Sequence, residues 1–243
     1  REALLSSTGM IGLQCIALLA VPGLSAVQEF AVRGHGTPLP LDPPRRMVTS
    51  GVYAYVANPM QLSMQLLLTA LALWLWSPFF AMGAGLNLIY SAGFAWWSEG
   101  GDLAQRFGPR WAVYRRQVRA WRPRWRPFVE TARPATLYYD DDCAMCTALK
   151  IRLEALGPTG LRFAFARDYP GAAPRRLTYR GADGYQAIGV RALARALEHI
   201  HLGFALFAFA LRLPVIAELA QLIGDAAGAG PRPAGESKSD SGN

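Results

Sequence analysis

Lysine is nearly absent from this chain. Lys150 and Lys238 are the only two among 25 basic residues, so the formal net charge of +8 is an arginine charge, gathered between residues 106 and 133. The motifs of the common soluble enzymes are missing as well. There is no G-x-S-x-G, no H-E-x-x-H, no Walker loop and no glycine fingerprint after a strand, which leaves hydrolase, zincin and nucleoside-triphosphate chemistry without support. Cysteine is scarce: with three in all, and Cys15 inside an apolar run, a disulfide framework is excluded. An initiating methionine and a signal-peptide series are both missing, and the expectation is a fragment or a processed product. Charge itself is sparse, 17% against 52% hydrophobic residues, which is too apolar for an ordinary soluble protein of 243 residues.

What is abundant is uncharged apolar sequence. Residues 7–30 read STGMIGLQCIALLAVPGLSAVQEF, and residues 60–97 hold two further stretches near the ~20 residues that a bilayer span needs. Ser77-Pro78 divides the second block into a tight helical hairpin, with Trp74, Trp76, Trp96 and Trp97 as interfacial anchors. Arg33, Arg45 and Arg46 flank one foot of the hairpin, and Arg106, Arg110, Arg115, Arg116 and Arg119 the other. The positive-inside bias therefore puts both feet in the cytoplasm and the uncharged tip outside. A buried hairpin of a soluble helical protein is the alternative.

Beyond Trp97 the chain reads RFGPRWAVYRRQVRAWRPRWRPF, with arginines alternating with rings. Such interleaving can stack bases and neutralise phosphates. Directly after a membrane span it reads instead as a juxtamembrane segment on anionic headgroups, and no nucleic-acid partner is expected.

A second domain begins near Ala135. ATLYY is a short buried strand, DDDCAMC a loop and first helical turn, TALKIRLEAL a helix and LRFAFA a second strand, a β-α-β opening. RRLTYRG adds a strand, residues 186–199 a helix, and the apolar stretch interrupted by Arg212 and Pro214 two amphipathic helices. From Gly224 the small and polar residues predict a disordered tail.

The C-x-x-C at Cys143 and Cys146 follows a strand and opens a helix, where the helix N-terminus favours a thiolate in general. In that placement Cys143, on the exposed first turn, is the attacking thiol and Cys146 resolves the mixed disulfide. A zinc site needs two further ligands, and the choices are poor: Cys15 lies in the membrane run, and His199 and His201 point to nearly opposite helix faces. No metal is expected, though zinc and an inert core pair both stay open.

YYDDDCAMC resembles the Y-D-x-D-C-x-x-C opening of the DCC family of small thioredoxin-like proteins, and YRGADGYQAI and FALRLPVIAEL resemble its second half. The resemblance covers residues 135–224 and implies a thiol-disulfide oxidoreductase acting on a thiol or disulfide substrate. Where that family usually has glycine, this chain has Asp141, a third carboxylate beside the thiols. In the first half, GHGTPLPLDPPRRMVTSGVYAYVANPMQLS and SEGGDLAQRFGPRWAVYRRQV resemble the isoprenylcysteine carboxyl methyltransferase and phospholipid N-methyltransferase group. That resemblance implies an integral-membrane enzyme using S-adenosylmethionine. It assigns Gly34 and Gly36 to close backbone approach to the cofactor, Asn58 and Pro59 to the pocket turn, and Glu99 to the cofactor's amino or ribose groups. Ala57 and Gln61 replace the family's usual arginine and tyrosine, and Gly100 its second glutamate.

The expected architecture is a membrane all-α domain of about three transmembrane helices, including the tight hairpin, fused to a small α/β thioredoxin-like domain. Its segments are a transmembrane helix (1–33), a methyltransferase-like membrane domain with the arginine-rich segment (34–134), the DCC-like domain (135–224) and the tail (225–243). The expected setting is the bacterial inner membrane with the second domain cytoplasmic. Membrane lipid, and a membrane-protein or lipid-modified partner, are the expected neighbours. Three functions fit: both halves are enzymes, the redox half works on a helical anchor, or the chain is a non-catalytic accessory subunit of a membrane complex.

Overall fold

The computed structural model describes residues 7–35, 45–130 and 134–231. The chain forms two units, Arg1–Arg124 and Trp125–Asn243.

The first unit is helical. Helix α1, Ser7–Glu29, runs on through a π-helical turn, Phe30–Gly34, and ends at His35, whose φ of 52° takes the chain out of the helix. Over Gly9–Gly34 it is the one described helix long and apolar enough to cross a membrane unaided. Helix α2, Pro59–Leu75, and helix α3, Pro78–Ile89, each begin with proline, whose missing N–H costs nothing at a helix start. Trp76, at φ 48°, and Ser77 make the tight turn between them, as Ser77-Pro78 predicted. At 17 and 12 residues, α2 and α3 are shorter than the expected spans. The π-helical Tyr90–Ala95 then leads into α4, Trp96–Gln117, which is broken at Gly108, where φ 52° and ψ −129° are open to glycine, and restarts on Pro109.

Close approach of α1 and α2 depends on glycine. A Cβ on Gly12 would lie 2.5 Å from the Trp74 ring, and one on Gly23 would lie 2.8 Å from Ser63 Oγ. Ser63 donates its hydroxyl to the Leu19 carbonyl at 2.5 Å, the kind of small-residue and hydroxyl contact that joins helices in an apolar medium.

The second unit is built on a four-stranded sheet of order β2-β1-β3-β4, with β1 Ala135–Tyr139, β2 Leu161–Phe165, β3 Thr178–Arg180 and β4 Gln186–Ile188. Strands β1 and β2 are parallel, joined through helix α5, Ala144–Ala155, and the other two pairings are antiparallel. This is the β-α-β opening that the sequence predicts. Helices α6 (Val190–Leu197), α7 (Leu202–Leu211) and α8 (Pro214–Gly224) complete the unit. Leu137, Tyr179, Ala187, Ala192 and Ile200 meet in its core.

Four expectations change here. The helix expected over residues 186–199 starts only at Val190, because Gly189, at φ 62°, separates it from the short strand β4 that hairpins back on β3. Of the two amphipathic helices, α7 has no polar face at all: it reads LGFALFAFAL and meets α8 at 91°. The ordered chain passes the boundary expected at Gly224, continuing as a π-helical turn to Ala229, where Asp225 pairs with Arg176; residues 232–243 lie outside the described ones. The second unit also starts ten residues before Ala135. Trp125 stacks on His201 at 4.5 Å, its carbonyl accepts the Leu202 N–H at 2.9 Å, and Arg126 donates to the carbonyls of Gly157 and Ile200.

Gly189 carries a sharp requirement. Its φ of 62° disfavours any side chain, and a Cβ there would strike the Gln221 amide, whose oxygen accepts the Val190 N–H at the start of α6. Gly189→Ala should destabilise the second unit by about 2 kcal/mol or more. Hydrogen exchange of the α6 amides should show it, and unchanged protection there would contradict the assignment.

Candidate functional site

Two places gather the residues to which the sequence assigns chemistry. In the first unit, the segment between His35 and α2 returns to the end of α1. The Gly34 carbonyl accepts the N–H groups of Arg45 and Arg46 at 2.9 and 3.3 Å, so Gly34 is buried and its carbonyl is engaged. One turn back, Glu29 is fully buried. Its carboxyl accepts the Ser50 hydroxyl at 2.6 Å, with Arg33 Nε at 3.8 Å. A Cβ on Gly51, at φ 60°, would come within 2.9 Å of that carboxyl carbon. The residues that follow, Gly51 to Val56, are all buried.

The rest of this segment is tied to the last turns of α4 and the chain beyond it. Tyr114 donates its phenol to the Tyr53 carbonyl at 2.8 Å, and burial pushes that phenol well above its ordinary range. Arg124 N–H bonds the Tyr55 carbonyl, and Ala57 N–H the Arg119 carbonyl, both at about 3 Å. Asn58 precedes α2 and its carbonyl accepts the Leu62 N–H; Pro59 is buried at the first helical position. No hydrogen bond among the described residues joins Gly34 to Asn58. Gly36 and the side chain of Glu99 lie outside the described residues. Of the side chains that shape this region, Glu29, Ser50 and Tyr53 were not singled out in the sequence, and Tyr114 was read only as one of the rings alternating with arginines. The one signal was Glu29 itself, an acid four residues before Arg33 at the end of an apolar run.

The dithiol is in the second unit. Cys143 and Cys146 are both thiols, not joined in a disulfide, and Cys143 is the N-cap of α5, its sulfur accepting the Cys146 N–H at 3.3 Å. The two residues are thus brought together. Their exposure is the reverse of the expectation. Cys143 is 5% exposed and Cys146 half-buried, because the N-cap position turns the Cys143 side chain back over the first turn of the helix. Partial burial, and next the hydrogen bond and charge of Cys143, push the Cys146 thiol up to about 12. The added acid is not a bare charge either. Asp141 pairs with Arg167 Nη1 at 2.7 Å, and that guanidinium lies 4.4 Å over the Phe165 ring. Asp140 is committed to the loop, accepting the Asp142 N–H at 3.1 Å. Among the described residues no group of three histidine, cysteine or acidic side chains could hold a metal.

Residues 8–110 match the family model of the phospholipid methyltransferases. The match lies within the helical unit, ends inside α4 and stops before the dithiol. No curated protein and no solved structure matches the chain. The family match and the apolar α1 agree on a membrane methyltransferase-like domain and a membrane location.

The raised Cys146 thiol makes a direct prediction. Only a thiolate is alkylated, so in the reduced protein the rate of Cys146 labelling by iodoacetamide should climb about tenfold per pH unit up to roughly pH 10 without levelling. Site-resolved mass spectrometry reads it, and a plateau near about pH 8, where an ordinary thiol ionises, would contradict it.

Proposed function

We propose that the chain is a membrane-anchored thiol-disulfide oxidoreductase, its dithiol carried on a methyltransferase-like helical unit. The observation that carries this reading is the pair of cysteine thiols, one helical turn apart, at a strand–loop–helix junction inside a β-α-β unit, the placement characteristic of thioredoxin-like redox motifs. The positive-inside pattern supports a cytoplasmic position for the dithiol, at the inner face of a bacterial inner membrane.

Burial and the neighbouring Cys143 sulfur hold the Cys146 proton more tightly than on an ordinary thiol, which makes Cys146 the slower nucleophile and assigns the attack to Cys143. Cys143 attacks one sulfur of a substrate disulfide and expels the other as a thiolate, which takes up a proton. Cys146 then loses its proton, displaces the second substrate sulfur and closes the Cys143–Cys146 disulfide. Two electrons pass to the substrate, and an external dithiol must restore the pair. Cys143 is buried, so its sulfur has to be uncovered for the first attack.

A second reading, methyl transfer, is favoured by the family match, since phospholipid methyltransferases use S-adenosylmethionine. Ala57, Gln61 and Gly100 depart from the arginine, tyrosine and second glutamate that the resemblance gives for a cofactor site, which weighs against methyl transfer.

Two measurements separate the readings. With glutathione disulfide, Cys146→Ser should accumulate a mixed disulfide on Cys143, seen by mass, whereas Cys143→Ser should accumulate little; the opposite pattern would reverse the roles. In calorimetry on the detergent-solubilised chain, S-adenosylmethionine should give no binding heat. Heat fitting one site, weakened by about 1–3 kcal/mol in Glu99→Ala, would establish the methyltransferase reading instead.

A further inference from the structure

Helix α8 is built inside out. The residues it turns toward the second unit are small or polar: Ala217 is 2% exposed, and Gln221 accepts the Val190 N–H and donates to Asp225. Its large apolar residues point the other way. Val215, Leu219, Leu222 and Ile223 are 72%, 56%, 65% and 70% exposed, and their spacing of four, three and one places them on one helical stripe. Phe207 on α7, 61% exposed, repeats the pattern between the buried Ala205 and Ala208. A helix of a soluble domain buries this face, and a contiguous apolar surface of this kind marks a docking site.

We propose that the outward face of α8, with Phe207, docks the second unit on the lipid bilayer at the level of the headgroups and upper acyl chains. Three observations select lipid as the occupant. The chain carries a helix long and apolar enough to span a membrane, and the second unit follows the first in the same chain, so this unit is covalently tethered to a bilayer. The junction is cationic, with Arg116, Arg119 and Arg122 exposed just before Trp125, which complements anionic headgroups. Helices α7 and α8 are together apolar enough for a span, yet bend by 91° and are 10 and 11 residues long. Each is therefore too short to cross, whereas lying in the interface requires only about 5–10 Å of burial.

The proposal goes beyond the redox reading and rests on the first unit lying in a bilayer. Its test uses the full chain with Cys15, Cys143 and Cys146 replaced by serine, reconstituted in vesicles of phosphatidylglycerol and phosphatidylcholine. A single cysteine bearing an environment-sensitive fluorophore is placed at Leu222, Leu219, Ala182 or Leu18. Ala182 is an exposed residue of the β3–β4 turn, and Leu18 lies on α1, 68% exposed. Lipids brominated in the upper acyl chain should quench the Leu222 and Leu219 labels by about half and the Ala182 label hardly at all, as a face buried to interfacial depth requires. Leaving out phosphatidylglycerol should reduce that quenching; no reduction would overturn the electrostatic part. If Leu18 is quenched while Leu222 and Leu219 remain open to aqueous iodide, the docking proposal fails and the membrane reading stands. If Leu18 is not quenched either, the membrane reading itself fails. Labels at Leu222 and Leu219 shielded from iodide but unquenched by lipid would assign the face to a protein, a second copy included, and overturn the lipid assignment.

Discussion

A backbone that leaves helical geometry in an apolar setting must still have its N–H and C=O groups bonded, and that constraint shapes the whole first unit. The segment from Arg45 to Asn58 is non-helical for most of its length and largely buried. Its polar groups are met from three directions. Gly34 bonds the N–H groups of Arg45 and Arg46, Glu29 takes the Ser50 hydroxyl, and the chain from Tyr114 to Arg124 serves Tyr53, Tyr55 and Ala57. The requirement explains why the segment after α4 folds back over the loop when its arginines alone would favour solvent. It also explains Gly51, since the backbone must pass so close to the Glu29 carboxyl that a side chain would collide with it.

The second unit meets the same constraint with charge. Glu198 is buried between two arginines that are also buried, Arg195 at 3.0 Å and Arg212 at 2.6 Å, and Arg195 lies over the Tyr185 ring at 4.7 Å. Replacing one member would leave a buried charge without its partner, far costlier than the net worth of the intact set. The network fixes the end of α6 to the end of α7, which in turn sets where α8 departs. On α6 and α7 the buried positions are therefore mostly alanine and paired charge, with Leu197 and Phe209, and the large apolar side chains of α8 face outward.

The sequence disclosed what depends on neighbours in the chain. Pro59 and Pro78 mark helix starts because proline suits the first helical position, and the apolar strand before DDDCAMC, with a helix after it, makes the β-α-β unit readable. It concealed what depends on distant partners. Ser50 reaches Glu29 across 21 residues, Arg167 reaches Asp141 across 26, and Arg176 holds Asp225 across 49. Strand β4 was hidden for a different reason: three residues are too few to show a period of two, and Gln186 and Ala187 suit a helix equally well. The dithiol pair was legible by its spacing. Which thiol is covered was not, because that follows from the N-cap conformation of Cys143, φ −99° and ψ 108°, a property of the folded turn.

These details bear on which way electrons flow. Strong dithiol oxidants owe their potential to a stabilised reduced form. Here the half-buried Cys146 holds its proton to about 12, chiefly through burial, so reduction of the disulfide would have to expel or create a poorly stabilised thiolate at that sulfur. A thiol with a high pKa is also a slow leaving group, which makes the closed disulfide slow to reopen by attack on Cys143. Of the three acids, Asp141 is paired with Arg167, and the largest influence on Cys146 is burial, followed by the Cys143 sulfur and then Asp140. The exposed position of Arg167 keeps that pairing open to screening by salt. On the proposed redox reading, a pair so arranged would give up electrons more readily than it takes them and would exchange slowly with free thiols. A reductant of that kind would gain most from being held next to its partner, because tethering substitutes local concentration for intrinsic rate.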